Sequence, residues 1–190
     1  MTILNSSENN FSKARFGTSY MSATVKKIFK WSVSEIFCQA LEGDASDRSY
    51  FRVSFKIEAD QKNQQSLIVM QLKDPVSESE TDFTRILKFL RGLDLPTPEL
   101  FHHDVPMGLL FIEDCGIRTL EDQLNVFPEK KAQLYHQAVE LLFDMQTRAT
   151  RMIDSKCPAY HLKFDVTKLM WEFDFMLDHY VGGLCGSPLE

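Results

Sequence analysis

The chain has 190 residues, 44% of them apolar and 25% charged, with 15 phenylalanines, enough for one ordinary domain or for a small lobe and part of a second. Its net charge of −6 argues against a nucleic-acid surface, which needs clustered Lys and Arg; the densest basic run is only Lys26, Lys27 and Lys30. No stretch reaches the roughly 20 continuous apolar residues of a membrane span, and no cysteine pair stands at C-x-x-C spacing, so neither a membrane partner nor a metal site is expected.

In chain order, Met1 to Tyr20 is polar and lacks the apolar core of a secretory signal. Residues 1–21 are expected to form a disordered N-terminus, with Met1 and Met21 as alternative starts. Cys38, Cys115, Cys157 and Cys185 are then expected as reduced thiols of a cytoplasmic protein. A helix is predicted over Ala23–Trp31, where Val25, Ile28 and Phe29 share a side. Two strands follow, Ser34–Leu41 and Tyr50–Ile57; in the second, Phe51, Val53, Phe55 and Ile57 alternate with polar residues, the mark of one buried face. Turn chemistry joins them from Gly43 to Ser49. Glu58–Gln65 reads as a polar linker and Ser66–Met70 as a third strand. Ser79-Glu80-Thr81-Asp82 has the form of a capping box, opening a helix with Phe83, Ile86, Leu87 and Leu90 on one stripe and Gly92 at its stop. Leu95–Pro98 is stiff and extended, and Glu99–His102 and Leu109–Ile112 form an antiparallel pair around a turn at Val105–Gly108.

Beyond this point the pattern is helical. Thr119–Asp122 forms another capping box, Pro128 suits a first helical turn, and Leu134, Ala138, Leu141, Leu142 and Met145 form a stripe. Asp165 can cap a last helix with Val166, Leu169, Met170, Phe173, Met176, Leu177 and Tyr180 on its face. The order helix-β-β-β-α-β-β followed by helices predicts an α+β protein: a five-stranded antiparallel lobe with its helix over 22–114, then a hinge and partial helical lobe over 115–190. The boundary is expected between Glu113 and Arg118.

The run Gly43-Asp44-Ala45-Ser46-Asp47-Arg48-Ser49-Tyr50-Phe51-Arg52 carries the functional argument. Small residues and a glycine at a hairpin tip leave main-chain N–H groups free to face a polyphosphate; Ser46 adds a hydroxyl donor and Arg48 a cation. An ordinary solvated turn, with Arg48 paired to Asp44 or Asp47, uses the same residues. This run resembles the G-D-A-S-x-R-x-Y-F-R signature of the aminoglycoside-phosphotransferase superfamily, within it most closely the bacterial kinases that phosphorylate N-acetylmuramate and N-acetylglucosamine at the anomeric carbon during cell-wall sugar recycling. The resemblance implies a protein-kinase-like N-lobe and a transferase using ATP and Mg2+, with a sugar acceptor. It also implies nucleotide contacts from Gly43, Asp44, Ala45, Ser46, Asp47 and Arg48. Leu109–Gly116 resembles the interlobe hinge, where main-chain groups of Glu113, Asp114 and Cys115 read the adenine edge.

Two departures bear on activity. Met70 stands where the family's nucleotide lysine is expected, with Lys73 three residues on. The catalytic H-x-D-x-x-x-x-N motif is also missing: His102-His103-Asp104 has the opening, but Leu109 falls at the Asn position, and Asp174 lies inside a helix pattern. No catalytic or metal residue is therefore assigned, and the chain is expected to be a truncated front part, inactive alone. The alternatives are a non-catalytic pseudokinase-like relic and a protein-interaction module that associates through the exposed apolar face of an incomplete helical lobe.

Overall fold

A computed structural model describes residues 11–42, 47–75, 80–163, 165–184 and 186. Five strands, β1 (Val33–Leu41), β2 (Ser49–Ile57), β3 (Asp60–Gln71), β4 (Leu100–Asp104) and β5 (Leu109–Glu113), form one antiparallel sheet in the order β1-β2-β3-β5-β4. With helices α1 (Thr18–Phe29), α2 (Asp82–Arg91), α3 (Leu120–Val126), α4 (Lys131–Met152) and α5 (Val166–Met176), the chain is α+β. No described helix is long and apolar enough to cross a membrane.

Strand alternation gives the sheet two apolar faces. Phe51, Val53, Phe55, Leu67, Val69, Leu109 and Phe111 point to one side and pack with Met21 and Val25 of α1. Ile68, Met70, Leu110 and Ile112 point to the other, where Tyr50 and Phe83 of α2 join them. A strand covered on both sides reads as a continuous apolar run, which is why 67–70 and 109–112 lack alternation.

Order begins earlier than the sequence suggested. Phe16 is 5% exposed in the first core and meets Phe51 edge-on at 5.5 Å. The Arg15 N–H donates to Oε1 of Gln71 at 2.8 Å, its guanidinium donates to the carbonyl of Lys73, and the Tyr20 hydroxyl donates to Asp104. Residues 11–21 are thus part of the packed structure, and Met21, fully buried, is a core residue. Isolated phenylalanines in a polar stretch carry no periodic signal, so the packing was hidden from pattern reading.

The polar segment 60–65 is also strand. Gln64 stands opposite Lys56 and Gln65 opposite Phe55; the hairpin continues β2 past the core, where no buried face imposes alternation. The α2 cap is Thr81, and Ser79 lies outside the described residues: Thr84 N–H donates to Thr81 Oγ1 at 3.2 Å and Thr84 Oγ1 accepts from Thr81 N–H at 2.9 Å, a reciprocal box across the first turn of the helix. The Thr119–Asp122 box and the Asp165 cap form as the sequence predicts. In the β4–β5 turn Gly108 has φ +63, and a Cβ there would meet Pro75 Cα at 3.1 Å, so that turn requires glycine.

The chain divides into two compact units, Met1–Met152 and Ile153–Glu190. Within the first unit Arg148 of α4 donates to the Leu93 carbonyl at 3.2 Å, tying the helix back to the segment after α2. In the second unit α5 continues into a wider coil, Leu177–Leu184, and Trp171 is 56% exposed.

One pH dependence follows from the α1–β4 contact. Lys27 Nζ lies 3.4 Å from His102 Nε2, and burial together with the Lys27 and His103 charges lowers the His102 pKa despite the opposing pull of Asp104. The unfolded chain protonates this imidazole near 6.5 and the folded chain only further down, so unfolding takes up a proton in between. Stability is expected to fall as pH drops below about 6.5. Urea midpoints from pH 7.5 to 5 should show a shallower acid loss in His102→Gln; equal slopes would contradict the assignment.

Candidate functional site

The loop residues Gly43, Asp44, Ala45 and Ser46 lie outside the described residues. Asp47 and Arg48, which follow them, lead directly into β2. Asp47 is exposed, and its carboxylate lies 3.7 Å from Lys73 Nζ, an exposed pair of small energetic weight. Arg48 is half-buried. Its Nη1 lies 3.9 Å from Met70 Sδ, and its guanidinium sits over the Phe83 ring, 5.7 Å from the centroid, within cation–π range. Met70 and Phe83 both belong to the α2-facing core, so Arg48 lies on that side of the sheet. Among the described residues neither Asp47 nor any other carboxylate is paired with it.

The hinge residues lie at the other end of the strands: register puts Glu113 beside Leu67, on the α1-facing side, and Asp114 meets Arg52, on the α2-facing side. The Glu113 N–H donates to the Glu99 carbonyl at 2.8 Å, and its carboxylate accepts the Glu99 N–H at 3.0 Å, fixing the end of β5 to the start of β4. The Asp114 side chain is 7% exposed and accepts four hydrogen bonds. Arg52 reaches it through Nε at 2.7 Å and Nη2 at 3.0 Å, Ser66 Oγ at 2.7 Å, and the Gly116 N–H at 2.9 Å. Burial works against its charge, but these hydrogen bonds and the Arg52 cation hold its pKa below the ordinary carboxylate value. The carboxylate is thus engaged as a structural tie, and any ligand contact from this position falls to the main chain. Arg52 also donates to the Gly116 carbonyl at 2.9 Å, which fixes the path of the chain as it leaves the sheet.

Cys115 is exposed. Neither its main-chain N–H nor its C=O has a hydrogen-bond partner among the described residues. Burial, with the nearby Glu113 and Asp114 charges, raises its thiol pKa, leaving a protonated, poorly nucleophilic sulfur at neutral pH.

Register measures the distance between the two ends. Ser49, Gln71 and Leu109 lie side by side at one level, and Val53, Leu67 and Glu113 at another. Four residues of strand separate the levels, about 13 Å at roughly 3.3 Å per residue. Arg48 lies just beyond the first level and Cys115 just beyond the second.

Sequence reasoning missed the tie among Arg52, Ser66, Asp114 and Gly116. The available signal was the polar parity of β2, which puts Arg52 on the face opposite Phe51 and Val53, the same side as Ile68 and Ile112. Among the described residues no group of three His, Cys, Asp or Glu side chains is placed to hold a metal ion. No protein-family model, curated protein or solved structure matches the chain.

Proposed function

We propose that this chain is the nucleotide-binding part of a small-molecule kinase of the aminoglycoside-phosphotransferase type, with a protein-kinase-like N-lobe that takes ATP with Mg2+ and serves a sugar acceptor. One observation carries the reading: a half-buried cation stands where the loop between β1 and β2 enters the sheet, and about 13 Å along the strands Cys115 carries a main-chain N–H and C=O without partners among the described residues. Their spacing suits an extended nucleoside triphosphate. At the Cys115 end, an N–H and a C=O without partners among the described residues suit the edge of an adenine ring. At the Arg48 end a guanidinium suits phosphoryl oxygens. Between them Ile68, Met70 and Ile112 supply apolar surface. The element order helix-β-β-β-α-β-β, with Phe83 of α2 packed on this same face, is the order that the sequence resemblance implies.

Transfer itself needs an aspartate beside the acceptor hydroxyl and further Mg2+ ligands. The 190 residues contain no H-x-D-x-x-x-x-N motif to supply them. The chain is therefore expected to bind nucleotide and not to turn it over. With MgATP at ten times its dissociation constant, the melting temperature should rise by roughly 3–6 °C, and sugar-dependent ATP consumption should stay at background. A rapid sugar-dependent turnover by the pure chain would overturn the second expectation.

A different observation favours a second reading, an interaction module. Val139 and Phe143 of α4 are 61% and 64% exposed, and the same helix also exposes Leu141 and Leu142. A helix apolar around most of its circumference is normally covered. The thermal-shift experiment separates the two readings: a folded chain that MgATP leaves unshifted favours the interaction module.

A further inference from the structure

The Arg52–Asp114 tie does more than anchor the chain as it leaves the sheet. A peptide unit is planar and trans, so its C=O and its N–H point in opposite directions. The unit joining Cys115 to Gly116 therefore carries the Cys115 carbonyl on one side and the Gly116 N–H on the other. Asp114 Oδ1 accepts that N–H at 2.9 Å, which turns the Cys115 carbonyl away from the Asp114 carboxylate. The next unit is held as well, because Arg52 Nη2 donates to the Gly116 carbonyl at 2.9 Å. Gly116 has φ +96, and a Cβ placed on it would meet open space. Nothing in a glycine opposes a flip of these units; their orientation is imposed by the side chains around them.

Two strands aim the carboxylate that does this. Arg52 of β2 grips it through Nε at 2.7 Å and Nη2 at 3.0 Å, and Ser66 of β3 donates to it through Oγ at 2.7 Å. Purine bases differ in what they offer such a main chain. Adenine presents a ring acceptor, N1, beside an amino donor; guanine presents an N1–H donor beside the O6 acceptor. Flipping the Cys115–Gly116 unit would exchange the Cys115 carbonyl, an acceptor, for the Gly116 N–H, a donor that suits guanine O6. A unit held one way discriminates between the two bases, since the wrong base leaves polar groups unpaired.

We infer that Arg52 and Ser66, acting through Asp114, are positioning residues that hold the Cys115–Gly116 peptide in one orientation and so set the site's preference for adenine over guanine. The inference rests on the nucleotide-binding reading above and deepens it from a nucleotide to a base.

Titration calorimetry on the full chain compares MgATP with MgGTP, which carry the same triphosphate, so that their affinity ratio reads the base alone. Wild type is expected to favour MgATP by about tenfold or more. Arg52→Lys keeps the charge and loses the fork that grips the carboxylate, and its ratio should fall to within about threefold. Ser66→Ala, the milder change where Arg52→Lys fails to fold, should lower the ratio in the same direction, and Ser66→Thr, which keeps the hydroxyl, should restore it. Phe16→Ala, in the core on the α1-facing side of the sheet, should lower the melting temperature and leave the ratio unchanged. A ratio kept in both Arg52→Lys and Ser66→Ala while their melting temperatures fall overturns the inference alone and leaves the tie a structural one. A wild type that binds MgATP and MgGTP equally well overturns it too, with the nucleotide reading still standing. A folded wild type that binds neither overturns the inference together with the reading beneath it.

Discussion

Replacing Asp114 by alanine is expected to lower the stability of the first unit by about 3–5 kcal/mol, the usual cost of removing one partner from a buried ion pair. The large effect comes from what remains. Arg52, 18% exposed, keeps its charge with only the Gly116 carbonyl to face, and Ser66 and the Gly116 N–H lose their acceptor. Both strands β2 and β3 and the chain leaving β5 meet at this carboxylate, so the loss is not confined to one loop. Acid should act in the same direction. The folded pKa lies below the ordinary value of 3.8, so the contribution is complete above that value and disappears as pH falls through the lowered one. Urea unfolding of Asp114→Ala measures the effect; a loss under about 1 kcal/mol, with an unchanged denaturant slope, would show that the tie carries little.

A chain begun at Met21 should be destabilised by a similar or larger amount. Removing Phe16 alone takes away a core ring packed on Phe51, and a buried Phe-to-Ala change typically costs about 3–5 kcal/mol. The truncation also removes the Arg15 clamp on Gln71 and Lys73, the Tyr20 hydroxyl bond to Asp104, and the first turn of α1. Phe16→Ala in the full chain isolates the first term. The truncated chain should unfold at markedly lower urea than the full one. Midpoints within experimental error of each other would mean that residues 11–20 contribute no packing energy.

The parts of the fold that were legible are those with a local cause. The alternation of Phe51, Val53 and Phe55 announces β2 because one pleat face is buried. The Thr119–Asp122 box and the Asp165 cap announce α3 and α5 because an orphan N–H takes a nearby oxygen. Where the cause is not local, the pattern gives no sign. Gln64 and Gln65 are strand residues only because β2 runs opposite them. Phe16 and Met21 are core residues only because Phe51 and its neighbours cover them. The site divides the same way. Residue types suggested phosphate chemistry for the glycine-to-arginine run, of which 43–46 lie outside the described residues; the Arg52–Asp114 tie depends on the register that sets Arg52 beside Ile68 and Ile68 beside Ile112. The Arg48 contacts with Met70 and Phe83 likewise join the loop before β2 to β3 and α2.

Hydrogen exchange of the full chain with and without MgATP tests the central claim most directly. Binding on the α2-facing side of the sheet should slow exchange at Arg48–Arg52, Ile68–Leu72 and Glu113–Gly116, leaving α1 and the α1-facing turns unchanged. Protection centred on α1 and β4, or no change at saturating MgATP, would contradict it.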